Sequence, residues 1–464
     1  MGRRHMEGFM RVIGGRPAKS KWARRVILGG LAMGVLAVGG AQWLSATRGP
    51  DPAAASGADP GLIARGAYIA RSADCVACHT VPGGAPFAGG LAMQTPVGAI
   101  FSTNITPDPD TGIGRYSYAD FARAVQYGVR RDGTPLYPAM PYPSYAIMPE
   151  ADMRALYAWF MADVAPVRQT NAPADIPWPL NMRWPMAWWQ LLFAPARDFV
   201  PPEAADARIA RGAYLVEGPG HCGACHTPRG LAYQEKALSL ADGDAFLSGA
   251  VIDGWRAKSL RGEAQGLQSW SPAEIVEFLR TGRNDKVAAF GAMADVVEHS
   301  TQYFSDEDLH SVAAYLKHLP PAAGKIRGFP PKADTTTAAL LDGRYDTRGA
   351  LLYMEYCAAC HRADGRGVPR IFPALDGNSA VFAKYPQSLI QITLEGGRMP
   401  ANTVDAMAFA MPGFRQLSDA DIAAIISFIR GAWTNQAAPI AAAEVAPIRA
   451  FLAGKTPNAQ DRHD

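Results

Sequence analysis

Cysteine is almost missing from this chain. There are six in 464 residues, and none lies outside three short strings: CVACHT at 75–80, CGACHT at 222–227 and CAACHR at 357–362. That confinement excludes a disulfide framework spread over the fold. Runs rich in β-branched residues are equally scarce, so no extended sheet is expected. Acidic residues are lacking at one end only. The first 50 residues carry nine Lys and Arg (Arg3, Arg4, Arg11, Arg16, Lys19, Lys21, Arg24, Arg25, Arg48) against one acid, Glu7. Beyond residue 50 there remain 36 basic and 41 acidic residues, a net of −5. The formal +3 of the whole chain therefore belongs to its start, and no nucleic-acid partner is expected.

Charge is also absent from 26–44, VILGGLAMGVLAVGGAQWL, which follows Arg24 and Arg25. A basic segment before an apolar one marks an export signal, and nineteen uncharged residues also suffice to span a bilayer. Gly39-Gly40-Ala41 offers a cleavage site, with Ser45-Ala46 a poorer one. Residues 1–48 are thus a signal peptide or a retained N-terminal anchor. Either leaves the rest of the chain outside the cytoplasm, because the arginines stay inside.

Each cysteine string reads Cys-x-x-Cys-His. A disulfide between the pair gives the histidine no role. Zinc needs four ligands per site where each string supplies three, and His221, His299, His310 and His318 form no matching set. A thioredoxin-type pair belongs once, beside a βαβ pattern that is not visible. Covalent attachment of c-type haem uses every position. The thiols of Cys75 and Cys78, Cys222 and Cys225, and Cys357 and Cys360 become thioethers to the haem vinyl groups, and His79, His226 and His361 ligate iron. Three copies with no cysteine left over predict three covalently bound haems.

The repeat extends beyond the cysteines. ARGAY stands at 64–68 and again at 210–214, and TRGAL at 347–351. The glycines Gly66, Gly212 and Gly349 precede the first cysteine by nine, ten and eight residues. A glycine inside a helix costs about 1 kcal/mol relative to alanine, so close approach by another helix is expected there. Amphipathic helices over 148–161, 304–319 and 417–433 supply it, with Ser305 and Ser418 as N-caps. Trp159, Tyr315 and Phe428 align at one position in them. Each of three units is therefore expected to be helix, Cys-x-x-Cys-His, variable loop and closing helix, an all-α architecture.

A second axial ligand is expected between motif and closing helix, and methionine suits electron transfer. In the second unit Met293 is the methionine available, with His299 nearby. In the first, Met140 stands in LYPAMPYPSY; Met148 and Met153 begin the closing helix, and Met93 comes early. In the third, Met399, Met407 and Met411 compete; Met411 is favoured because AMP at 410–412 repeats 139–141. With both axial positions filled, the irons have no open place for a substrate and carry electrons instead.

The stretches 102–145, 218–230, 299–320 and 357–378 resemble the three-haem cytochrome c subunit of bacterial membrane-bound dehydrogenases, of the alcohol dehydrogenase and gluconate 2-dehydrogenase type. The likeness covers roughly residues 59–435, and 175–193 is nearest the alcohol type. It implies three tandem class I cytochrome c-like domains, at 59–165, 205–320 and 344–435, with iron held by His79 and Met140, His226 and Met293, and His361 and Met411. It implies a catalytic dehydrogenase partner of PQQ, FAD or molybdopterin type. It also implies delivery of electrons to ubiquinone in the cytoplasmic membrane, from the periplasmic side. This subunit is then not itself the catalyst. The rival readings are a cytochrome subunit of a terminal oxidase or another respiratory complex, and a multihaem peroxidase with one methionine missing.

The linker 166–204 holds Trp178, Trp184, Trp188 and Trp189, a residue favoured at membrane–water interfaces and also in cores. It is expected to touch lipid or a quinone site, or to pack across its two neighbours. The linker 321–343 is Pro-rich, a spacer, and the tail 436–464 is expected to hold one weak helix. Haem assay of the exported chain should give three haems, and the double variant Cys357→Ala/Cys360→Ala should give two.

Overall fold

The computed structural model describes residues 19–47, 59–95, 97–252, 254–322 and 332–454. Five of the nine basic residues of the first 50 (Arg3, Arg4, Arg11, Arg16 and Arg48), residues 323–331 of the Pro-rich linker and the last ten residues lie outside that set.

Three opening helices precede the three cysteine strings: Pro60–Ser72, Ala207–Glu217 and Arg348–Tyr356. Each starts on a capping side chain. Asp59, Asp206 and Thr347 accept from the backbone N–H of Gly61, Ile209 and Ala350, which satisfies donors with no partner inside the helix. The closing helices are Glu150–Ala162, Asp306–His318 and Asp419–Gly431. Ser305 and Ser418 cap the last two, as their sequence predicts, while Pro149 begins the first without a side-chain cap.

Each opening helix crosses its own closing helix at the glycine. A Cβ on Gly66 would stand 2.0 Å from the carbonyl oxygen of Ala155, one on Gly212 would stand 1.9 Å from that of Ser311, and one on Gly349 would stand 2.2 Å from that of Ala424. The next residues met are Trp159, Tyr315 and Phe428, at their Cβ atoms, the three aromatics aligned by sequence. Around each crossing lies a core of its own, built on Ile69, Met153 and Leu156 in the first case, on Leu215, Leu309 and Tyr315 in the second, and on Leu352, Ile425 and Trp433 in the third. Met148 and Met153, 2% and 0% exposed, belong to the first core.

The all-α expectation omits three short antiparallel strand pairs: Ala92–Thr95 with Gly98–Phe101, Ala250–Ile252 with Trp255–Ala257, and Gly397–Arg398 with Ala410–Met411. Gly98 and Gly254, at φ +130° and +83°, supply the turns of the first two, a conformation L side chains resist. Strands of two to four residues leave too little alternation to be read from sequence. The tail helix is Ala442–Gly454, and it packs back on Asp419–Gly431 and Gln387–Glu395 with Val445 and Leu452 buried.

One described helix, over Leu28–Ala46, is long and apolar enough to cross a membrane. It rests on the linker helix Pro185–Phe193: the Trp188 indole donates to Ala37 O at 3.2 Å, and a Cβ on Gly40 would touch the Trp188 ring at 3.0 Å.

Gly212→Ala should lower stability by about 1–3 kcal/mol, because the added methyl meets helix backbone that cannot rotate away. Gly431→Ala, where a Cβ meets nothing within 4 Å, should leave it unchanged or raise it. Thermal unfolding of the two haem-loaded variants beside the parent decides the comparison.

Candidate functional site

Cys75–His79, Gly223–His226 and Ala358–His361 are each a single helical turn. The turn brings two cysteines and an imidazole together, and no disulfide joins any of the six cysteines. Burial pushes Cys75, Cys222 and Cys357 up to about 12 and Cys78 up to about 11. A redox-active pair needs the opposite, a stabilised thiolate. Among the described residues no three His, Cys, Asp or Glu side chains cluster as metal ligands, so the zinc reading fails on geometry too.

The histidines are oriented identically. Nδ1 of His79 meets Thr103 O at 2.6 Å, that of His226 meets Lys258 O at 2.6 Å and that of His361 meets Pro373 O at 3.0 Å. A carbonyl only accepts, so Nδ1 carries the proton and donates, leaving Nε2 as the free lone pair. Burial holds all three imidazoles below their usual range, His226 at about 4, so they stay neutral. In the first two cases the accepting carbonyl lies just past a strand pair, at Thr103 after Phe101 and Lys258 after Ala257. Backbone carbonyls have no sequence signature, and these partners were not legible beforehand. Paired thiols with a neutral imidazole presenting Nε2 are the donor set that covalent haem requires.

The candidate methionines sit differently from one another. Met140 packs against the first core and Met411 against a patch of the third containing Ile390 and Phe414. Met293 opens the helix Ala292–His299, which also holds His299 and packs on Cys75–His79. Met407 is 65% exposed. The Met399 thioether lies 3.7 Å from a guanidinium nitrogen of Arg283, so its sulfur is engaged at the contact between the second and third cores.

The first two motifs are brought together by an exchange that repeats itself. Arg65 pairs with Asp152 of its own closing helix, and Tyr214 of the second opening helix donates to the same carboxylate. Arg211 pairs with Asp308 at 2.7 Å, and Tyr68 of the first opening helix donates to it. Arg and Tyr are the second and fifth residues of both ARGAY strings, so the repeat encodes a two-fold interface that sequence reading passed over. The Cys78 thiol lies within electrostatic reach of Asp74, Cys225 and Asp295. Tyr145 donates to Ala73 O at 2.8 Å and stacks edge-on with His221 at 5.7 Å. The third string, TRGAL, keeps Arg348 on Asp421 at 2.9 Å but has Leu351 in place of the tyrosine, 42% exposed.

Contact with the third core runs instead through Arg283, whose side chain is 4% exposed. It reaches Asp405 at 3.2 Å and Met407 O at 3.0 Å. Lys258 Nζ donates to Ser379 at 3.0 Å, and Ala374 N to Lys286 O at 3.0 Å, beside the carbonyl that orients His361.

A cytochrome c family model matches residues 347–433. The chain is 50% identical over 397 residues to the cytochrome c subunit of alcohol dehydrogenase (quinone) from Gluconacetobacter polyoxogenes, covering 84% of this chain and 85% of that one. It is 51% identical over 399 residues to the gluconate 2-dehydrogenase cytochrome c subunit of Pantoea cypripedii, covering 84% and 90%. It is 34% identical over 422 residues to the fructose dehydrogenase cytochrome subunit of Gluconobacter japonicus, covering 86% and 85%.

Tyr68→Phe and Tyr214→Phe should each cost about 1.5–3 kcal/mol, since each removes a hydrogen bond to a charged group. Burial works against ionising Asp308, but the bonds from Arg211 and Tyr68 outweigh it and its carboxyl titrates below the usual range. A depressed native pKa gives stability that is present above the unfolded value of about 4 and is lost as pH falls through the native one. Acid titration of unfolding should show that loss in the parent and a smaller one in Asp308→Asn.

Proposed function

The chain belongs to the family of cytochrome c subunits of alcohol and gluconate dehydrogenases, and from that membership we propose that it relays electrons from a dehydrogenase subunit, through three c-type haems, to membrane ubiquinone. The observation that carries this reading is the recurrence, three times, of one constellation: two thiols and an imidazole on one turn, Nδ1 spent on a carbonyl, behind a helix locked by a glycine crossing. When bound, each haem supplies a one-electron iron couple. Cys75 and Cys78, Cys222 and Cys225, and Cys357 and Cys360 hold the three groups as thioethers. His79, His226 and His361, each with Nε2 free, would hold the irons together with Met140, Met293 and Met411, in three class I cytochrome c-like domains. Met411 is preferred because Met407 is exposed and the Met399 sulfur is engaged by Arg283.

The carbonyl partners of the histidines fix each imidazole's tautomer and orientation, so these ligands would not have to rearrange on electron transfer. The catalytic partner oxidises an alcohol, gluconate or a related polyol or aldehyde, and this chain carries off the electrons. Retention of the N-terminal helix as an anchor is supported by its packing on Trp188, since cleavage after Ala41 would remove the turn that Trp188 touches. The soluble bulk then lies on the periplasmic face of the cytoplasmic membrane.

The test uses native membranes. Ethanol, an aldehyde, gluconate, sorbitol and fructose are added in turn while the c-type absorption of this chain is followed, with a deletion strain as control. Reduction by one of them, lost in the deletion, is expected and names the partner's chemistry. No reduction by any would overturn the reading.

A further inference from the structure

Met411 stands on a thin support. Its strand, Ala410–Met411, pairs with Gly397–Arg398 at two positions, Gly397 with Met411 and Arg398 with Ala410. A two-stranded ribbon is marginal at best without packing from outside. The loop between the strands, residues 399–409, is closed by a bond from Met399 N to Phe409 O at 2.9 Å. What packs against that loop therefore decides where Met411 is held.

Much of that packing comes from the second unit. The buried Arg283 enters the loop. Its Nε donates to Asp405 at 3.2 Å and one Nη to Met407 O at 3.0 Å, while the other lies 3.7 Å from the Met399 sulfur. The same guanidinium stands 5.5 Å from the centre of the Phe409 ring. Asn402, 7% exposed, donates to Thr281 O at 2.9 Å. Gly282, at φ +73°, comes so near that a Cβ there would run into the Pro400 ring. The third unit contributes Phe372, whose ring centre lies 6.3 Å from that of Phe409, and Arg370, which pairs with Asp405 and also with Glu277 of the second unit.

A second set of bonds reaches the loop from the segment that carries Met293. Glu298, in the helix Ala292–His299, accepts from Ala401 N at 3.3 Å. Gln302, just beyond that helix, accepts from Thr403 N at 3.0 Å and donates to Ala401 O at 3.4 Å. The methionine segments of the second and third units are thus bonded to each other. In the first unit, too, an arginine from outside does comparable work. Arg183 of the linker donates to Pro135 O from two nitrogens, at 3.0 and 2.6 Å, and stacks on Tyr137, in the loop that carries Met140.

We propose that Arg283, with Gln302 beside it, is a positioning residue for the third haem: the second unit holds the loop 399–409 so that the Met411 thioether stays on the third iron. This rests on the reading of Met411 as that haem's ligand and adds what fixes it there. Arginine suits the task because its planar fork engages a carboxylate and a carbonyl together from a buried position, which the single ammonium of lysine does not. Damage to the second unit is then read at the third haem. A haem that loses its methionine gains an open coordination position and a lower potential.

The test uses the haem-loaded full chain. Met411→Leu should remove about a third of the near-infrared ferric band that marks methionine-ligated haem, one haem in three. Arg283→Met, which keeps the bulk and removes the fork, should do the same while retaining three haems, bind carbon monoxide at one of them when reduced, and lower one midpoint potential. Arg283→Lys should fall between that variant and the parent. Arg348→Met, which removes an exposed ion pair of the third unit's own helix crossing, should leave the band intact. If Arg283→Met retains fewer than three haems, Gln302→Leu decides in its place. An unchanged band and potentials in the deciding variant, or an equal loss in Arg348→Met, overturns the positioning role alone. An unchanged band in Met411→Leu overturns the ligand reading, and this inference with it.

Discussion

The structure depends on the approach of two helix backbones at Gly66, Gly212 and Gly349, where the opposing carbonyl oxygen would sit 1.9–2.2 Å from any Cβ. Only glycine admits that approach. Each cysteine string follows within five residues of the end of its opening helix, so the crossing sets where its thiols and imidazole lie. Trp159, Tyr315 and Phe428 follow one turn beyond the contact and close the core beside it. The glycine's cost in helix propensity, about 1 kcal/mol, is small against what packing at backbone distance returns.

With the crossings set, the differences among the three copies govern assembly. ARGAY places an arginine and a tyrosine one helical turn apart. The arginine holds the aspartate of its own closing helix, and the tyrosine reaches the aspartate of the neighbour's. Two such copies satisfy each other and draw Cys78 and Cys225 into the same electrostatic neighbourhood. The third copy has leucine in place of the tyrosine, so it joins by other means, through the buried Arg283 and the strand Trp255–Ala257 against the helix Gln387–Glu395.

The linker helix Pro185–Phe193 packs across its two neighbours, one of the two roles its tryptophans allow. Gln190 donates to Gly128 O at 2.7 Å and Trp189 to Ala232 O at 2.8 Å, so the helix is wedged between the first two cores. Leu191 and Leu192 are exposed, and Trp188 reaches the N-terminal helix. Tryptophan suits such a wedge because its ring packs like a core residue while its indole N–H still finds an acceptor.

Covalent and local requirements were readable in the chain itself. Cys-x-x-Cys-His states which atoms bond and at what spacing, the mid-helix glycines announce a close crossing, and Ser305 and Ser418 announce where helices begin. All of these depend on residues within a turn or two of one another. Tertiary structure alone decided the rest. The carbonyls of Thr103, Lys258 and Pro373 could come from any residue type, Tyr68 and Asp308 are 240 positions apart, and the exposure of Met407 and the engagement of Met399 by Arg283 arise from distant contacts. Glu235 looked like any surface acid, and only folding removed it from water and left one oxygen without a partner. Spacing within a helix is a property of the backbone and is written in sequence, whereas desolvation and long-range pairing are properties of the assembled interior.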